Sequence, residues 1–103
     1  MLINNAFASD PASQLIGLLD RARTGTLSLV ELFRITESFN SSGQRPQAAE
    51  FFKTWIAYND TNPLLHLAYF NYAVTLGQMG DTAGSVQALR SCLKANPRFG
   101  AAY

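Results

Sequence analysis

The helical character of this 103-residue chain is clearest in residues 66–97, which read HLAYFNYAVTLGQMGDTAGSVQALRSCLKANP. Apolar residues recur there at intervals of three and four, the spacing that places side chains on one face of an α-helix. Gly80 followed by Asp81 stops one helix and starts the next, because glycine suits a helix end and an aspartate side chain accepts a hydrogen bond from an orphan backbone N–H. These residues predict two helices joined by a tight turn.

The same pattern occurs earlier in the chain, which indicates an internal repeat. Matching residues lie 37 apart in the pairs Leu32 and Tyr69, Phe39 and Leu76, Gly43 and Gly80, Ala48 and Ser85, Phe52 and Leu89, and Trp55 and Cys92. The spacing falls to 34 in the pairs Pro63 and Pro97, and Tyr69 and Tyr103. We interpret the chain as copies of a 34-residue unit, the first of which carries three extra residues around 58–61.

Helix boundaries are marked along the whole chain. Gly25 and Gly43 are further stops, and Ser28 and Glu31 have the spacing of a capping box. Asp-Pro or Asn-Pro pairs at 10–11, 62–63 and 96–97 have the form of an N-cap followed by the first helical residue. Helices are predicted near 11–23, 27–42, 46–58, 63–79 and 82–95, and no strand is predicted because alternation of period two is not sustained. We therefore predict an all-α fold: one domain over 1–103 of stacked antiparallel helical hairpins, with five helices and the start of a sixth.

Residues 66–99 resemble the tetratricopeptide repeat. The residues at that family's positions are Tyr69, Tyr72, Ala73, Leu76, Ser85, Leu89 and Pro97. The resemblance implies a right-handed superhelix in which Ala73 and Ser85 are small because paired helices cross there, while Leu76 and Leu89 fill the gap beside the crossing. It also divides the chain into a leading helix at 11–23, a degenerate repeat at 29–65, a well-matched repeat at 66–99 and the start of a third motif at 100–103.

Two features depart from a regular array. Trp55 takes a place that is usually small, so we expect the helices around it to be splayed or rearranged. Because residues 100–103 open a third motif, we expect the chain to be a fragment of a longer protein; a natural short chain ending in a frayed turn is the alternative.

A narrower resemblance, over residues 48–81, is to the amino-terminal repeat regions of bacterial O-linked N-acetylglucosamine transferases of the SPINDLY type. In that family an asparagine of the first helix lines the inner surface of the superhelix. Asn71 stands at that place, but the first copy has Arg34 there, so a ladder of asparagines is not complete.

Composition argues against several classes of partner. The net charge is +1, from eight Lys/Arg and seven Asp/Glu without a basic cluster, which disfavours nucleic-acid binding. No apolar run approaches the ~20 residues that a membrane-spanning helix needs. The single cysteine, Cys92, excludes an intramolecular disulfide and fits a reducing compartment, and the amino terminus lacks a signal-peptide pattern. We predict a cytoplasmic protein.

No catalytic constellation is visible in the sequence. His66 is the only histidine and has no metal-spaced partner, so we interpret it as a partly exposed residue at a helix start. Cys92 replaces a small core residue and is interpreted as a buried structural thiol. The carboxylates are scattered, and no glycine-rich loop could cradle a phosphate. We therefore predict no catalytic residue, no metal, no cofactor, and no enzyme activity of the chain itself.

The resemblance implies a partner-binding surface instead. In tetratricopeptide arrays the first helix of each pair lines a concave groove, and the corresponding residues here are Phe33, Glu37, Asn40, Leu67, Phe70, Asn71, Val74 and Gln78. Burial under the first helix is an alternative for the apolar members of this set. Three functions stay open: a protein-interaction module that binds a polypeptide segment, a recruiting segment of a larger glycosyltransferase resembling O-linked N-acetylglucosamine transferase, and self-association as a homo-oligomer through the last motif.

Overall fold

The computed structural model describes residues 11–102, with side chains for residues 14–100. Over that range the chain forms five α-helices, one 3-10 helix and no strand, which confirms the all-α prediction. The elements are α1 (Pro11–Arg23), α2 (Leu29–Ser41), α3 (Arg45–Tyr58), α4 (Leu65–Gln78), α5 (Thr82–Ala95) and the 3-10 helix (Pro97–Ala102). Each α-helix begins and ends within two residues of its predicted bounds. None of these helices is both long and apolar enough to cross a membrane.

The predicted stops and caps form as local hydrogen-bond chemistry requires. Ser28 and Glu31 make both bonds of the capping box: each side chain accepts from the other residue's backbone N–H at 3.1 Å. Asp81 caps α5 by accepting from the backbone N–H of Gly84 at 2.9 Å. Gly25, Gly43 and Gly80 have φ of 76°, 74° and 85°, left-handed values that disfavour any residue with a Cβ.

The predicted Asn-Pro helix starts are wrong in detail. The Asn62 side chain accepts from the backbone N–H of Leu64 at 2.8 Å and forms a turn around Pro63, so that α4 begins two residues later than predicted. Asn96 likewise accepts from the backbone N–H of Arg98 at 3.2 Å, and a 3-10 helix follows where the start of a sixth α-helix was expected. The predicted cap Asp10 and the repeat residue Tyr103 lie outside the described residues.

Helix α3 is central, because α1, α2 and α4 all pack against it. Its Trp55 is fully buried, and the indole Nε1–H donates to the backbone carbonyl of Leu27, in the turn between α1 and α2, at 2.7 Å. Asn59 at the end of α3 donates to the carbonyl oxygens of Ala22 at 3.1 Å and Trp55 at 2.8 Å. The bulky Trp55 side chain therefore fills the space beneath the α1–α2 turn and ties that turn to α3.

Small residues mark the contact between α4 and α5, as predicted. Ala73 is 1% exposed and clusters with Ala88 and Leu76. The Ser85 hydroxyl donates to the backbone carbonyl of Ala73 at 2.8 Å, and Gly77 faces the same serine. The two helices therefore approach closely enough that larger side chains at these positions would force them apart.

One packing expectation fails. Leu76 is buried with 8% exposure, but Leu89, expected to fill the gap beside the crossing, is 38% exposed. Ala88 is buried instead, because its side chain faces α4. Leu89, the next residue, points to a different side of α5. Val86 and Leu93, on the same side of α5 as Leu89, are exposed to a similar extent.

Candidate functional site

A groove of about 750 Å³ runs between α2 and α4. The α2 residues on its wall recur at helical spacing, and so do those of α4, so that one face of each helix is turned toward the other across the groove. Arg45 at the start of α3 and the Phe52 ring from its middle close the remaining sides. The lining residues are Val30, Phe33, Arg34, Thr36, Glu37, Asn40, Ser41, Arg45, Phe52, Asn71, Val74, Thr75 and Gln78.

The groove brings together six of the eight predicted binding residues: Phe33, Glu37, Asn40, Asn71, Val74 and Gln78. Leu67 does not line it; its side chain is half-buried against the main core. Phe70 does not line it either. It lies in a separate cleft, where its ring contacts the edge of the Phe99 ring at 5.4 Å between centroids.

The apolar part of the groove combines a packed floor with exposed walls. Phe33 is half-buried, and its ring lies 6.4 Å from that of the buried Phe52, so it belongs to the floor and to the core at once. Val30 is 65% exposed and Val74 is 43% exposed. These two valines stand on facing helices and are the apolar surface that a bound molecule could cover.

Two amide side chains of the groove, Asn71 and Gln78, already make hydrogen bonds within the protein. Asn71 donates its Nδ2–H to the carbonyl of Leu67 at 2.9 Å, an i to i−4 bond that holds the side chain and leaves its Oδ1 as an acceptor. Gln78 accepts from the Nε–H of Arg45 at 3.2 Å. Asn40 carries a buried Oδ1 that has no hydrogen-bond partner within the described part of the chain.

Three charged residues line the groove, and sequence reasoning did not place two of them there. Arg34 stands 37 residues before Asn71, so its position was noted, but its charge was not assigned to the groove. Arg45 comes from the start of α3, lines the groove and donates to Gln78 across it. Glu37 accepts a bond from Ser41, one turn further along α2, at 3.5 Å. The groove is therefore mixed in charge, with two cations and one carboxylate.

His66 and Cys92, the two residues considered for catalysis, are both packed against other side chains of the fold. His66 is half-buried; its ring meets Phe99 edge to face at 5.1 Å, and its Nε2 lies 3.3 Å from the Asn96 amide nitrogen. Cys92 is 1% exposed, which confirms the prediction of a buried thiol, and desolvation raises its pKa above the usual value. No group of three or more metal-ligating side chains occurs among the residues that the structure describes.

Comparison with known proteins identified no relative of this chain. No protein-family model matches the chain, and searches of curated proteins and of solved structures found no significant match. The tetratricopeptide and SPINDLY-type resemblances therefore stay predictions.

Proposed function

We propose that this protein is a binding module that holds a segment of another polypeptide in the groove between α2 and α4. The observation that carries the proposal is the pairing of exposed valines with amide side chains on the two facing helices. Val30 and Val74 lie on opposite walls, and Asn71 and Gln78 lie on the same face of α4 as Val74. Such a surface suits a polypeptide, which offers apolar side chains and backbone amides together.

The two exposed valines alone do not hold a partner. Completing the burial of two half-exposed valines contributes roughly 1.5–3 kcal/mol. Association costs an estimated ~4–15 kcal/mol, so further contacts to Phe33 and to the polar rim are required. We expect reversible binding, typical of a recognition module rather than of a permanent assembly.

The polar side chains of the groove would orient a bound segment. Asn71 is held by its bond to Leu67, so its free carbonyl oxygen can accept from the backbone N–H of a bound segment without loss of side-chain entropy. Arg34 and Glu37 are neighbours three residues apart on α2, and they offer opposite charges to oppositely charged side chains of that segment. The proposal therefore favours a short segment with an apolar side chain between polar ones.

The test uses a phage-displayed library of random peptides, selected on the full chain and measured by fluorescence anisotropy. Val74→Asn removes one apolar wall of the groove, and Val86→Asn is its matched control. Val86 lies on α5 outside the groove with 41% exposure against 43% for Val74, and valine and asparagine have similar helix propensity. We expect selected peptides to bind the parent and Val86→Asn equally, and Val74→Asn about tenfold more weakly. Selected peptides that bind all three chains alike, or that lose affinity only in Val86→Asn, would rule the groove out as their site.

A further inference from the structure

A strip of apolar side chains on α5 is open to solvent. Val86, Leu89 and Leu93 are 41%, 38% and 42% exposed, and their spacing of three and four places them on one side of the helix. The strip borders an apolar cleft of about 360 Å³ lined by Phe70, Leu89, Cys92, Leu93, Phe99 and Gly100. None of these residues lines the groove between α2 and α4, so the strip is a second and separate surface.

The internal repeat shows what kind of structure covers this strip. Ala49, Phe52 and Ile56 of α3 stand 37 residues before Val86, Leu89 and Leu93. Their exposure is only 9%, 2% and 9%. The same side of the equivalent helix is therefore buried in one repeat and open in the other.

The element that packs on the α3 face is a helix, α4. Tyr72 of α4 lies on Phe52, with ring centroids 6.2 Å apart, and Ala49 clusters with the small Ala73 and with Leu76. An α-helix with an aromatic residue followed by a small one thus fits this face. On α5 no α-helix packs in the corresponding place within the described residues; the elements that pack most extensively against α5 are α4 and the short 3-10 helix.

The charge beside the strip distinguishes between possible helices. Arg90 and Lys94 continue the helix row that begins at Val86, four and eight residues further on, and both are exposed. Neither makes an ion pair with any residue in the described range, where the one salt bridge joins Arg21 to Glu31. A two-fold pairing of antiparallel α5 helices would bring both basic rows to the same side of the interface. A helix with carboxylates along one edge would meet them with opposite charge.

We propose that the α5 strip docks an amphipathic helix of another polypeptide, whose apolar face has the aromatic and small residues of the α4 type and whose edge is acidic. The apolar face covers Val86, Leu89 and Leu93, and its aromatic residue enters the cleft beside Phe99. The carboxylates lie along Arg90 and Lys94. This site is independent of the groove, so either one could bind without the other.

The probes are two synthetic helical peptides that present leucine, alanine, tyrosine and alanine with the spacing of Leu65, Ala68, Tyr72 and Ala73. One peptide has glutamate along one edge, and the other has lysine at the same positions. Anisotropy titrations with the full chain should show at least about tenfold tighter binding of the glutamate peptide. The double variant Arg90→Glu/Lys94→Glu, altered only at exposed positions, should reverse that preference.

The two valine variants show which of the two surfaces binds the peptide. Val86→Asn should weaken binding of the glutamate peptide about tenfold, and Val74→Asn should leave it unchanged. Loss of binding in Val74→Asn would locate the peptide in the groove and overturn the proposal. Equal binding of the two peptides, or no binding, would overturn it as well. A chain that sediments as a dimer, and as a monomer only after Val86→Asn, would show that a second copy covers the strip instead.

Discussion

Replacing Trp55 by phenylalanine tests whether the indole holds the leading helix to the rest of the molecule. The side chain is fully buried, and its Nε1–H donates to the Leu27 carbonyl at 2.7 Å. Phenylalanine keeps an aromatic ring in place but has no donor, so the Leu27 carbonyl loses this bond inside the core. A buried polar group left without its partner costs about 1–3 kcal/mol.

The smaller ring adds a packing loss. Complete truncation of a buried tryptophan or phenylalanine to alanine costs about 3–5 kcal/mol, and the step from indole to phenyl removes a minor part of that, about 1 kcal/mol. We therefore expect a total loss of about 2–4 kcal/mol in the free energy of unfolding, against a total of roughly 5–15 kcal/mol for a domain of this kind. The melting temperature should fall by about 10 °C or more.

Urea denaturation followed by far-ultraviolet circular dichroism measures this loss without relying on the fluorescence of Trp55, the only tryptophan of the chain. Tyr58→Phe is the matched control, because Tyr58 lies one turn further along α3 and is 58% exposed. Its free energy of unfolding should stay within about 0.5 kcal/mol of the parent. If Trp55→Phe also stayed within that margin, the indole hydrogen bond would not stabilise the fold and our account of the core would be wrong.

Two further predictions concern the α4–α5 contact and the cysteine beside it. Ala73→Leu should destabilise the protein by roughly 1–3 kcal/mol, because the larger side chain cannot fit at the contact with α5. Ala83→Leu, at an exposed position of α5, is the control and should be nearly neutral in the same thermal melts. Equal melting temperatures of the two variants would show that the contact is placed wrongly. Cys92 should react with iodoacetamide much more slowly in the folded chain than in urea at neutral pH, because burial excludes the reagent and raises the thiol pKa. A raised pKa in the folded state also means that this thiol's contribution to stability is complete below the pKa of the unfolded chain and is lost as pH rises through the folded value. Equal alkylation rates in both states, with no alkaline loss of stability, would contradict the burial of this thiol.

Much of the secondary structure could be predicted because its causes are local. The capping box at Ser28 and Glu31 and the cap at Asp81 depend on bonds between residues three apart. The Asn-Pro pairs show the limit of the same reasoning. Asn62 bonds to the backbone two residues on, which makes a turn, and only then does α4 begin. Two local hydrogen-bond patterns competed for the same side chain, and the residue types do not say which prevails.

The groove was partly predictable from the repeat. Helical spacing places Asn71, Val74 and Gln78 on one face of α4, and the structure turns that face toward α2. Spacing could not assign Phe70, one residue away from Asn71, to a different cleft, because its neighbour there is Phe99 in the 3-10 helix. Nor could it place Arg45, whose contact with Gln78 spans 33 residues.

The sequence by itself determined the helix ends to within two residues, because capping hydrogen bonds join near neighbours in the chain. It also determined which helix positions carry small side chains. Only the tertiary structure decided which apolar positions are covered. Leu76 and Leu89 are the same residue type, each predicted to pack beside the crossing, yet they are 8% and 38% exposed. Burial depends on whether another α-helix packs on that side, and on the outer side of α5 the described residues place only the short 3-10 helix, which leaves Leu89 open.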